Sequence, residues 1–122
     1  MIKRLLKLII AIHLPLIYFS SSAQAQTWYS AGPFVISQLK TDFAPYTGSL
    51  LVIPPSTVTV TSPAGCSQLD GYALPSTSVN YNAVSAILMA ASLSGKQVRL
   101  WMANTGTCTM SRQTIVGADL VN

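Results

Sequence analysis

Only one segment of this chain carries a helical period, and that restriction decides what kind of fold it can adopt. From Tyr81 onward the apolar residues Tyr81, Val84, Leu88 and Ala91 recur on one stripe, with Ile87 beside them. Ser78 or Asn80 stands where an N-cap is wanted, and Gly95 stands where a left-handed C-cap would end the helix. The spacing predicts a single helix of about 14 residues, close to the average for globular proteins. Its small residues Ala83, Ala86, Ala90 and Ala91 would let the backbone lie close to a sheet.

Elsewhere the pattern is that of strands. Phe34–Lys40 alternates, with Phe34, Ile36 and Gln38 on one face, after an entry segment (Gln26–Pro33) that turns at Gly32-Pro33. A loop follows, built on Pro45 and Gly48. Leu50–Ile53 reads as a short apolar strand stopped by Pro54-Pro55, which cannot donate to a ladder. Thr57–Thr61, T-V-T-V-T, has period two and reads as a half-buried strand with Val58 and Val60 facing the core. Gly71–Leu74 adds a brief strand before the helix.

After the helix, Lys96–Ala103 alternates with Val98, Leu100 and Met102 inward and Arg99, Trp101 and Ala103 outward, and Thr114–Val121 forms a last strand bulged at Gly117. No internal repeat or linker divides the chain, so residues 26–122 are expected to form a single domain. The expected class is mainly β with one α-helix. An element order β-β-β-α-β-β is that of the OB-fold, a small five-stranded, partly open Greek-key barrel. Closure would also remove most of the exposed strand edges of so short a chain. Small α+β sandwiches share the same order.

Residues 1–25 stand apart. A basic start (Lys3, Arg4, Lys7), an apolar run from Leu8 to Phe19 and the small-x-small end Ala23-Gln24-Ala25 have the three parts of a secretory signal peptide, with cleavage expected before Gln26. A membrane anchor would need about 20 apolar residues, and this run is broken by His13 and Pro15. The expected product is secreted or periplasmic, with no membrane span once the signal is removed. The formal charge of +4 shrinks with it: residues 26–122 hold four basic residues (Lys40, Lys96, Arg99, Arg112) and three aspartates (Asp42, Asp70, Asp119).

Beyond His13 the chain has no histidine, and it has no glutamate at all. A Ser-His-Asp or Cys-His arrangement cannot be built, and a zinc site would lack imidazole ligands. Paired carboxylates would have to come from three aspartates far apart in sequence, and no Gly-rich phosphate loop occurs. The expected protein is non-enzymatic, without metal or cofactor. Nucleic acid is also disfavoured, because four scattered basic residues neutralise too little phosphate. Cys66 and Cys108, an even count in an exported chain, read first as a structural disulfide, with buried thiols or an intermolecular bridge as the alternatives.

Three stretches carry a resemblance: Tyr29-Ser30 followed by Val35-Ile36-Ser37-Gln38-Leu39; Ser94-Gly95-Lys96-Gln97-Val98-Arg99-Leu100; and Ile115-Val116-Gly117. Together they resemble the secreted OB-fold binding subunits of pentameric A-B toxins of the subtilase-cytotoxin and typhoid-toxin type. Cys66, the helix end S-G-K-x-V and Cys108 are also similar to a broader group of small exported bacterial proteins. Unlike the toxin subunits, this chain has no cysteine in Leu50–Ile53.

The toxin resemblance implies a glycan-binding module, probing sialylated sugars of a host surface, with a catalytic subunit as partner and a homo-oligomeric, pentameric assembly. It carries the carboxylate-binding serine onto Ser30, with Tyr29 beside it. An ordinary loop serine and packed aromatics are the plainer alternatives at these positions. From the residues themselves, Arg99 and Trp101 share a strand face and form a surface patch where the guanidinium would stack on the ring or meet a carboxylate. A surface arginine beside an aromatic, or an inter-subunit contact, would look the same. The second functional reading is an exported accessory or structural protein-interaction module with no glycan ligand.

Overall fold

A computed structural model describes residues 26–41, 48–105 and 108–122. Residues 1–25, expected to be a signal peptide, and most of the loop around Pro45 lie outside the described residues. Helix α1 (Tyr81–Ser94) has the expected bounds. Val84, Ser85, Leu88 and Ala91 are its buried face, and the Ser85 hydroxyl donates to the Asn82 carbonyl at 3.1 Å. Gly95 ends it at φ 68°, where a side chain would be strained. Asn80 is the N-cap residue but makes no capping bond through its side chain.

The described residues also form seven strands: β1 (Trp28–Val35), β2 (Gln38–Thr41), β3 (Leu50–Ile53), β4 (Tyr72–Leu74), β5 (Gln97–Ala103), β6 (Gln113–Thr114) and β7 (Gly117–Val121). They form two sheets, ordered β1-β5-β7 and β2-β3-β4-β6. Every pair is antiparallel except β4 with β6. The chain passes between the sheets twice, through Ile36-Ser37 and through Ile115-Val116. At these crossings Ser37 N–H donates to the Ile53 carbonyl (2.9 Å), Ile115 N–H to Ala73 (2.8 Å) and Val116 N–H to Trp101 (2.8 Å). Adjacent residues of one segment thus bond to different sheets.

The core lies between the sheets and under the helix. Phe34, Ile36, Val52, Tyr72, Leu100, Met102 and Ile115 are buried there with Val84 and Leu88. The Phe34 and Tyr72 rings stack with centroids 6.4 Å apart. The fully buried Tyr72 keeps its hydroxyl satisfied by accepting from Thr61 N–H at 3.2 Å.

Five sequence expectations are corrected. Phe34–Lys40 is not one strand: it is split at Ile36-Ser37 between β1, which begins at Trp28, and β2 in the other sheet, and Gln38 is exposed rather than facing the core with Phe34 and Ile36. Gly32-Pro33 does not turn the chain: it is a bulge inside β1, with the register against β5 shifting between Ala31 and Phe34. Gly32 has φ 99°, and a Cβ there would lie 2.7 Å from the Val98 carbonyl oxygen, so the bulge needs glycine on both counts. Thr57–Thr61 is not a strand. Val58 and Val60 do pack on the core, but β3 already has β2 on one edge and β4 on the other. The Pro54-Pro55 step leads into a turn closed by Val58 N–H to Pro55 carbonyl instead. The last strand is broken at Ile115-Val116, where it changes sheets, rather than at Gly117. Ala103 is buried, its methyl lying on one strand face between two larger side chains, Trp101 along β5 and Trp28 opposite it.

The outer side of the second sheet is covered by a strap, residues 108–112. Met110 is buried against Leu51 and Ala73, with Ile53 alongside. Met110 and Ser111 both sit at positive φ (52° and 61°), a conformation unfavourable for side chains with a Cβ. Several tethers hold it. Cys66 and Cys108 are at bonding distance (2.05 Å), Gln68 N–H donates to the Ser111 carbonyl, and Arg112 forks onto Asp70 at 2.6 and 2.7 Å while donating to the Met110 carbonyl at 2.9 Å. Buried Gln113 anchors the base, donating to the Ala103 carbonyl and accepting from the Ser62 hydroxyl and Ala64 N–H.

The hydrogen bonds from Arg112 are the main cause holding the Asp70 carboxyl below the ordinary carboxylate range. A depressed folded-state pKa stabilises the fold above the unfolded-state pKa, and that contribution is lost as pH falls through the folded value. Thermal midpoints measured between pH 5 and pH 2 should therefore fall less steeply for Asp70→Asn than for the parent. The difference is modest, since the Asp70 side chain is 56% exposed and water screens the pair. Superimposable profiles would remove the pair from the strap's support.

Candidate ligand-binding face

In the antiparallel pairing of β1, β5 and β7, Ser30 stands opposite Trp101, Trp101 opposite Gly117, and Arg99 opposite Asp119. Residues directly opposite share a sheet face. Two candidates from distant parts of the sequence, Ser30 and the Arg99/Trp101 pair, therefore meet on the outer face of one sheet. Ser30 and Arg99 are diagonal neighbours, about 7–8 Å apart in a regular ladder. The bulge at Gly32-Pro33 faces Arg99, so no regular β1 side chain covers it.

Tyr29 is separated from this group. It stands opposite buried Met102, in the alternate phase, and is 41% exposed at the end of the sheet. The aromatic that shares Ser30's phase is Trp28, which is 58% exposed. Serine and tyrosine, adjacent in sequence, cannot line one site from the middle of a strand, because successive side chains point to opposite faces.

Trp101 is half-buried, and its indole Nε1–H donates to the Asp119 carboxylate. A methyl placed on Gly117 would meet Trp101 Cβ, Cδ1 and Cγ at 3.5–3.9 Å, so the ring reaches across β7 over the glycine. Asp119 was not legible as a partner from spacing along the chain. Its signal was the antiparallel register, which sets it opposite Arg99. Its carboxylate is nonetheless engaged by the indole, and half-buried Arg99 makes no hydrogen bond or ion pair with any described residue. Among the described residues no acceptor takes up its guanidinium's five N–H donors.

The remaining features lie elsewhere. Cys66 and Cys108 join two loops at the strap and contribute nothing to this face. A surface cavity of about 410 Å³ is lined by Ile53, Pro54, Pro55, Val58, Val60 and Asp70 among others, and none of the sequence candidates borders it. Among the described residues no three His, Cys, Asp or Glu side chains are grouped as metal ligands would be. No helix among them is long and apolar enough to cross a membrane. No protein-family model matches the sequence, and no curated protein is similar to it.

Proposed function

We propose that the chain is an exported, non-catalytic binding module on an OB-type barrel, and that it recognises a carboxylated glycan, such as a sialylated sugar, on the outer face of the β1-β5-β7 sheet. The barrel reading takes β1 and β2 as one strand bent at Ile36-Ser37, and β6 and β7 as another bent at Ile115-Val116. Counted so, five strands follow one another around a ring: the bent first strand, β3, β4, the bent last strand, β5, and back to the first. The hydrogen bonds at both crossings and the parallel β4/β6 pairing support this closure. The helix then falls between the third and fourth strands, as in that fold.

The observation that carries the ligand reading is an arginine with no acceptor among the described residues, beside an indole and diagonal to a serine on the same face. A carboxylate would take a two-point contact from Arg99 and a hydroxyl hydrogen bond from Ser30. Trp28, and the part of Trp101 left exposed, offer apolar ring faces to the C–H side of a sugar. Such recognition needs no group that changes protonation state near neutrality, in keeping with a chain whose only histidine is His13. Assembly into a ring and pairing with a catalytic subunit extend the proposal by resemblance.

A glycan array probed with purified residues 26–122 tests it. Sialylated glycans should bind and their neutral counterparts should not, and Ser30→Ala should weaken the signal. An array with no glycan bound would overturn the reading.

A further inference from the structure

Two rungs of the β1-β5-β7 sheet set four positions on its outer face, Arg99 opposite Asp119 and Trp101 opposite Gly117. Side chains directly across an antiparallel pair have Cβ atoms about 4.5–5.5 Å apart, and opposite charges so placed interact favourably. Here they do not pair. Asp119 Oδ2 accepts from the Trp101 indole instead, and neither Arg99 nor Asp119 makes an ion pair with any described residue. Gly117 makes the diagonal contact possible. With no side chain on that rung the tryptophan can cross β7, and its Cβ, Cδ1 and Cγ lie 3.5–3.9 Å from where a Gly117 Cβ would stand.

We infer that Trp101 is a positioning residue: by holding the Asp119 carboxylate on its indole N–H, it keeps Asp119 off Arg99 and leaves the guanidinium open to the carboxylate of an acidic ligand. This rests on the reading of Arg99 as that ligand's contact. The bond runs to the neighbouring rung, so it draws the Asp119 carboxylate along β7 and away from the residue opposite. Without the N–H, the donor directly across from Asp119 is the Arg99 fork, whose planar geometry takes a carboxylate through two bonds. A ligand carboxylate would then have to displace Asp119 before it could bind. Two carboxylates, one internal and one from the ligand, compete for one guanidinium, and the indole withdraws the internal one.

Calorimetry with a sialylated oligosaccharide on the parent, Trp101→Phe, Asp119→Ala and the double variant tests the competition. Phenylalanine keeps an aromatic ring at position 101 and has no N–H. Trp101→Phe should weaken binding by about fivefold, the most that an exposed ion pair ordinarily holds. Adding Asp119→Ala should restore it, with a larger gain in that background than in the parent. Unchanged binding by Trp101→Phe overturns the inference. So do equal gains in the two backgrounds, which would make Asp119 only a like charge beside the ligand, and so does no gain, which would leave Trp101 acting only through its ring face. A second measurement needs no sugar. In 15N NMR of the unliganded protein, the Arg99 Nε–H should exchange with water more slowly in Trp101→Phe than in the parent, and at the parent's rate in the double variant. That pattern in a parent that binds no acidic sugar would overturn the glycan reading alone, whereas identical exchange in every variant overturns the role of Trp101.

Discussion

Replacing Cys66 and Cys108 together with alanine is expected to lower the unfolding free energy by about 4 kcal/mol, the chain-entropy value for closing a loop of this length. The two residues are 42 apart in sequence and their Cα atoms 5.7 Å apart, so the bridge closes nearly half of the described chain into a ring. In the folded state the unbridged strap would still be held by Gln68, by the Arg112–Asp70 fork and by Gln113. The loss should therefore come mainly from a freer unfolded state, leaving strand and helix signals intact at low temperature. Urea denaturation of parent and double variant measures it. For a small domain this is a large fraction of the total stability, and thermal unfolding should move to distinctly lower temperature. A change below about 1 kcal/mol would mean that the unfolded chain is already restricted around residues 66–108.

The second large effect is expected from one methyl group. A Cβ on Gly71 would lie 2.6 Å from the Val52 carbonyl oxygen and 3.3 Å from Leu51 Cδ1. The first neighbour is backbone in the middle of β3, so relief requires β3 and β4 to part where Val52 and Tyr72 are fully buried. Gly71→Ala should cost about 2–3 kcal/mol, the upper range for overpacking. Gly117→Ala is the matched control, since its methyl would meet Trp101 at 3.5 Å, an ordinary contact, and should cost less than about 1 kcal/mol. Equal costs at the two sites would show that the backbone beside Gly71 yields to a methyl group without parting β3 from β4.

How much of this was legible in the sequence differs by element for physical reasons. The helix was legible from Tyr81 to Gly95 because its period and its left-handed cap are both local. So were β3, β4 and β5, short apolar or alternating runs with clear stops. Thr57–Thr61 misled because alternation reports half-burial, which Val58 and Val60 do have, whereas a ladder also needs a free neighbouring edge. Gly32-Pro33 misled because a bulge and a turn carry the same residues. Of the candidate face, Ser30 and the Arg99/Trp101 pair were each visible, but their meeting depends on β1 pairing with β5 across most of the chain. The Asp70–Arg112 fork and the Met110 plug are long-range contacts with no local pattern to announce them.

Arg99 is the residue on which the functional account rests. Titrating a sialylated oligosaccharide and its neutral counterpart into the parent protein and into Arg99→Ala, by calorimetry at fixed salt, measures the claim directly. The account predicts that the parent binds the acidic sugar and prefers it to the neutral one. It also predicts that Arg99→Ala weakens that binding by about tenfold or more, as loss of a hydrogen bond to a charged group would. An acidic sugar bound equally by both proteins, or no preference for it in the parent, would contradict it.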